Sequence, residues 1–124
     1  MNNPIGWFEI YVDDMSRAKT FYETVLNVSL TSMVDPVDGF SMYGFPSDME
    51  NYGSSGALVS SPAVKAGNNS TVVYFSCDDC ATEASRVVEA GGVLEREKFA
   101  IGEYGFVSLA KDTEGNVIGL HSLK

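Results

Sequence analysis

The run Trp7-Phe8-Glu9-Ile10-Tyr11-Val12 is rich in aromatic and β-branched residues and ends in the acidic pair Asp13-Asp14, which predicts a strand feeding a helix. Ala18, Phe21, Tyr22 and Val25, spaced i, i+3, i+4 and i+7, predict that helix and its buried stripe. The second half of the chain repeats the design. Val72-Val73-Tyr74-Phe75-Ser76-Cys77 reads as a strand, Asp78-Asp79 follows, and Ala84, Val87, Val88 and Gly91 continue as a helical stripe ended by Gly91-Gly92. An Asp at or just before a first helical turn accepts from free N–H groups and complements the helix dipole, so both acidic pairs have a structural use.

Three short apolar stretches bounded by turn residues follow each helix. In the first half they are Ser29 to Val34, Phe40 to Phe45 and Gly56 to Val59. In the second half they are Val93 to Lys98, Tyr104 to Ala110 and Val117 to Ser122, with a turn at Glu114-Gly115-Asn116 before the last. The Ser-, Pro-, Gly- and Asn-rich stretch from Ser60 to Ser70 reads as a connector. The pattern therefore predicts an α+β chain of two βαβββ modules, about 5–60 and about 71–124, within one domain spanning 1–124. A single helix covers only one face of each small sheet. Packing the two bare faces together would form a barrel-like cleft able to take a small molecule.

Composition agrees with one globular domain: 124 residues, 44% hydrophobic and 20% charged. Eight Lys and Arg against 17 Asp and Glu give a net charge of −9, and the scattered cations argue against nucleic-acid binding. No basic n-region opens the sequence and no apolar stretch approaches the roughly 20 residues of a membrane span, so a cytoplasmic location away from membranes is expected. The Asn-x-Ser/Thr matches at Asn27, Asn68 and Asn69 carry little meaning without a secretory signal. Cys77 and Cys80 have the spacing of a redox or zinc half-site. One histidine and no second cysteine pair cannot complete a zinc site, the two intervening aspartates oppose a thiolate, and the repeat maps both cysteines onto apolar Val12 and Met15. They are read as structural.

The run Glu9 to Asp14 followed by Arg17-Ala18 and Phe21-Tyr22, then Ala90-Gly91-Gly92, then Asp112-Thr113-Glu114-Gly115-Asn116-Val117-Ile118-Gly119-Leu120, resembles the vicinal oxygen chelate superfamily. That superfamily includes glyoxalase I, the bleomycin-resistance proteins and the extradiol dioxygenases. The resemblance implies the paired-module fold and a homodimer, while leaving the activity open. Its enzymes hold a divalent metal with donors on the first and last strands of each module. Here the matching positions carry Trp7, Val72, Gly119 and the stretch Gly56-Ala57-Leu58-Val59, none of which supplies a His or carboxylate. The resemblance is thus to the metal-poor branch, and no metal or other cofactor is expected.

With Trp7 at a former ligand position, strand alternation turns Trp7, Glu9 and Tyr11 toward the cleft and Phe8, Ile10 and Val12 under the helix. Val72, Tyr74 and Ser76 would form the second wall, with Val117, Gly119 and His121 on the last strand. Glu9 and His121 are the candidate acid–base pair or ligand anchors; the plainer alternative makes them structural partners. Two such donors also leave open a weak divalent-metal site. Trp7, Tyr11, Tyr43, Tyr74 and Phe106 are the candidate ligand-binding aromatics, by stacking, against ordinary core packing. The long connection Pro46 to Ser55, with Met49 and Tyr52, has the composition of a lid, a dimer contact or a mobile loop, and Gly53 and Gly56 would permit close backbone approach. Asp35, Asp38, Glu95 and Glu97 read as solvated surface charge.

Three functions follow from these residues. The first is metal-independent binding of a small, partly apolar or aromatic molecule in the cleft. The second is a lyase or isomerase of the glyoxalase type working through Glu9 and His121. The third is a structural or regulatory interaction domain whose cleft is filled by its own side chains.

Overall fold

Asp14, extended just beyond the first strand, accepts the Arg17 N–H with its carboxylate at 3.1 Å and so caps the start of the first helix. In a computed structural model of the chain, describing residues 3–5, 7–48 and 50–124, that strand is β1 (Phe8–Tyr11) and the helix is α1 (Met15–Leu26). The helix stops at Asn27, whose left-handed backbone at φ 54° closes it. Three strands follow, β2 (Thr31–Ser32), β3 (Ser41–Gly44) and β4 (Gly56–Ser60). Asp79 repeats the capping role through the Ala81 N–H at 3.0 Å, between β5 (Val73–Ser76) and α2 (Cys80–Ala84). The chain then forms β6 (Val93–Ala100), β7 (Phe106–Lys111) and β8 (Val117–Ser122).

The two halves have the same topology. One sheet runs β1-β4-β3-β2 and the other β5-β8-β7-β6, with the first strand of each lying parallel to the last and the remaining pairs antiparallel. Two four-stranded sheets result, and they do not close into a barrel. Closure would require a ladder between the sheets; the edge strands β1 and β5 meet instead through the rings of Phe8 and Phe75, 6.1 Å apart. Tyr22 and Phe45 join these two rings in one aromatic cluster.

A single core fills the helix-covered side. Ile10, Val12 and Leu58 from the first sheet join Ile118, Leu120 and Ala110 from the second, with Ala18, Phe21, Tyr22 and Val25 of α1 and Cys80, Ala84 and Val87 of the α2 region. Burial of each such large side chain stabilises the fold by roughly 1.5–3 kcal/mol. One expectation fails here. The second helix is regular only to Ala84, and mixed i−3 and i−4 hydrogen bonds carry the chain on to Gly91, where φ is +99°. That irregular winding buries Val87 but leaves Val88 67% exposed, so Val88 is no part of the apolar stripe.

The modules are also tied by polar contacts that sequence spacing does not reveal. The Asp112–Asn116 turn reaches across to the first module: Asn116 Nδ2 donates to the Tyr11 carbonyl, and Glu114 Oε1 accepts from the Asp13 and Asp14 N–H groups at 3.0 and 2.8 Å. Arg17 donates Nε and Nη2 to the same carboxylate at 2.7 and 3.0 Å. Buried Tyr22 donates its hydroxyl to Asp112 at 2.6 Å. The connector between β4 and β5 is pinned as well, with the Ala66 N–H on Asp13, the Gly67 N–H on Asn116, and Asn69 bonded to Val117 through both its amide atoms. Among the described residues no helix is long and apolar enough to cross a membrane.

Candidate functional site

On β1 the alternation is as the sequence indicates: Ile10 is buried in the core, while Trp7 and Glu9 are exposed and Tyr11 half-buried on the opposite face. Those three side chains form one hydrogen-bonded unit. Trp7 donates its indole N–H to Glu9 Oε2 at 3.2 Å, and Tyr11 donates its hydroxyl to Glu9 Oε1 at 3.0 Å. Residues two apart on a strand stand side by side, so the Trp-x-Glu-x-Tyr spacing itself builds the clasp. The Glu9 hydrogen bond, followed by burial, raises the Tyr11 phenol above its usual value, so Tyr11 holds its proton and acts as a donor.

Across the crevice, β5 pairs with β8 so that Tyr74 lies beside Gly119 and Ser76 beside His121. Tyr74 is 51% exposed, and its ring occupies the space above Gly119. His121 Nε2 lies 2.7 Å from the Tyr104 carbonyl, an acceptor only, which places the ring proton on Nε2. Glu9 and His121 therefore each have separate partners, and no hydrogen bond or ion pair joins them.

Two adjoining cavities run along the junction of the modules. The larger, about 810 Å³, lies between Trp7 and Phe8, the stretch Thr71 to Ser76 with Tyr74, and the loop bearing Asp48, Tyr52 and Ser55. The smaller, about 420 Å³, lies over Glu9 and Tyr11 beneath the connector. Trp7 and Tyr74 thus share one cavity, Glu9 and Tyr11 line its neighbour, and His121 lines neither. The loop from Pro46 to Ser55 forms a wall of the larger cavity, its base closed by Ser55 Oγ on the carbonyls of Phe45 and Pro46. Tyr52 on this loop is 89% exposed, and Met49 lies outside the described residues. Gly56 does allow close approach, since a Cβ there would stand 2.4 Å from the Phe8 carbonyl oxygen; at Gly53 nothing is near.

Two of the expected ligand-binding aromatics face the other way. Tyr43 stands opposite core residue Leu58 in the β3–β4 register and packs against the core, with Lys19 Nζ 5.6 Å from its ring. Phe106 is opposite Ser122, on the face of Leu120 and Ile118, and packs there with Lys98 Nζ 4.7 Å above its ring. In both cases strand register puts the side chain on the helix-covered face.

The charged group the sequence does not single out is Glu114. Its side chain is fully buried, and burial alone would raise its pKa; the hydrogen bonds from Arg17, the Asp14 N–H and Thr113 outweigh this and bring it down to about 2. Five donors from both modules converge on it, which makes it a clasp between the modules and not an open acid or base. Cys77 and Cys80 are unpaired thiols; burial and then Glu83 push Cys77 up to about 12.

The positions where metal-binding relatives carry donors do not fit a divalent ion. Trp7 offers only an indole N–H already given to Glu9, Val72 is aliphatic, Tyr74 covers Gly119, and the opposing strand presents buried Ala57 and Val59. Among the described residues no three His, Cys, Asp or Glu side chains are arranged so that they could hold a metal ion.

Solved structures share this architecture. Maize glyoxalase I in its V278E form superposes with a TM-score of 0.76 at 19% identity over 97% of this chain; this chain spans only 46% of that protein. A glyoxalase/bleomycin resistance protein from Albidiferax ferrireducens T118 gives 0.71 at 16% identity, covering 95% of this chain and 98% of its own. TnmS3, an antibiotic binding protein from Streptomyces sp. CB03234, gives 0.67 at 22% identity, covering 98% and 96%. Comparison with curated proteins gives no match. The family model for the Glyoxalase/Bleomycin resistance protein/Dioxygenase superfamily matches residues 4–120, so with the duplicated βαβββ topology the chain belongs to that superfamily.

Proposed function

We propose that this protein binds a small, flat, partly apolar molecule between Trp7 and Tyr74 without a metal, using the Glu9 carboxylate as an adjacent hydrogen-bond acceptor. The observation that carries the reading is that two half-exposed aromatic rings, Trp7 at 44% and Tyr74 at 51%, line one cavity of about 810 Å³. Exposed aromatic faces supply large apolar area with little conformational entropy to lose. Glu9, steadied by Trp7 and Tyr11, keeps lone pairs to accept from a ligand hydroxyl or amine. The similarity to an antibiotic binding protein agrees with a binding role.

Acid–base catalysis by Glu9 and His121 is disfavoured by their separate partners, since a working pair must reach one substrate proton. Thermal-shift screening against flat bicyclic and tricyclic arenes tests the binding role. A binder at 100 times its Kd adds roughly 2.7 kcal/mol of stability, and the shift should vanish in Tyr74→Ala. A broad panel without a stabilising compound, or shifts unchanged in Tyr74→Ala, contradicts the reading.

A further inference from the structure

A third cavity, about 240 Å³, adjoins the larger one through Phe8, Phe75 and the Ser54–Ser55 stretch but is not lined by Trp7, Tyr74 or Glu9. Phe8, Phe45 and Phe75, with Leu26 and Val28 at the end of α1, form most of its apolar lining, three serines add hydroxyls, and Glu83 of α2 also lines it. A buried carboxylate oxygen beside these apolar walls calls for a donor. Glu83 Oε1 is buried without a hydrogen-bond partner, and what the carboxylate has beside it is the weak donor of the Cys77 thiol. Arg86, one turn on, donates Nη1 to the Val25 carbonyl at 2.9 Å instead of pairing with Glu83. The neighbouring Cys77 thiol carries no compensating charge, because burial and Glu83 itself hold it protonated.

We propose that this cavity binds the ammonium group of a small apolar amine, which donates to Glu83 while its hydrocarbon body packs on Phe8, Phe45, Phe75, Leu26 and Val28. A carboxylate accepts its strongest hydrogen bonds from charged donors, and aromatic faces attract a cation. No Lys or Arg is among the residues that line it, and the one charged side chain there is acidic. The volume suits a single ring with a short aminoalkyl arm.

The test uses benzylamine, benzyl alcohol and benzoate as probes, read by the methyl NMR signals of Leu26 and Val28. Benzylamine should shift both signals saturably, and the alcohol and benzoate should bind at least about tenfold more weakly. Glu83→Gln should weaken benzylamine by a similar factor. Unmoved signals, equal binding of the alcohol, or undiminished binding in Glu83→Gln overturns the proposal. Should Glu83→Gln fail to fold, Val28→Phe approaches from the opposite wall: it should block benzylamine, and a persisting Leu26 shift overturns the proposal. The readout does not involve Trp7 or Tyr74, so failure here leaves the ring-stacking reading standing.

Discussion

The ring of Tyr74 covers Gly119 so closely that a Cβ on the glycine would stand 2.2 Å from Tyr74 Cδ2 and 2.3 Å from Cε2. The strand position that could have carried a metal-binding carboxylate is thus built to seat an aromatic side chain at the cavity wall. Gly119→Ala should cost about 1–3 kcal/mol by forcing the ring aside. In a Tyr74→Ala background the same change should be nearly neutral. Urea denaturation of the four proteins measures both costs, and equal penalties in the two backgrounds would contradict this packing.

Glu114 makes module docking sensitive to acid. Its pKa of about 2 in the folded protein lies below the ordinary 4.5. A depressed carboxylate contributes its full stabilisation above the unfolded value and loses it as pH falls through the folded one, so the loss runs from about pH 4.5 down to about 2. The shift corresponds to about 3 kcal/mol. Unfolding free energies of the wild type and Glu114→Gln should differ most near pH 6 and converge toward pH 2. A constant difference across that range would assign the stabilisation elsewhere.

Cys77 should be an unreactive thiol. With its pKa pushed to about 12, thiolate is scarce at pH 8, and Cys80 is buried. Native protein should react with iodoacetamide far more slowly than a free thiol, on the order of 100-fold or more, and both cysteines should react once unfolded. Rapid labelling of Cys77 in the folded state would contradict the burial described.

These residues also show what the sequence discloses. The alternation along β1 is local, so the inward Ile10 and the outward Trp7, Glu9 and Tyr11 follow from a period of two, and Asp14 and Asp79 are legible as caps because their partners lie within a turn. The orientation of Tyr43 and Phe106 is not legible in the same way. It depends on β3–β4 and β7–β8 register, set by turns whose length fixes the parity. Glu114 reads as an ordinary turn residue because its donors, Asp13, Asp14 and Arg17, lie at the other end of the chain. Val88 departs from an ideal helical period because the winding there is irregular.

The most direct test of a ring-stacking cavity uses the chain's single tryptophan, which lies in that cavity. Titrating the protein with flat arenes while following Trp7 emission should give saturable quenching, with Kd weakened at least about tenfold in Tyr74→Ala. Emission unchanged by every arene, or identical titrations for the wild type and Tyr74→Ala, would contradict the account.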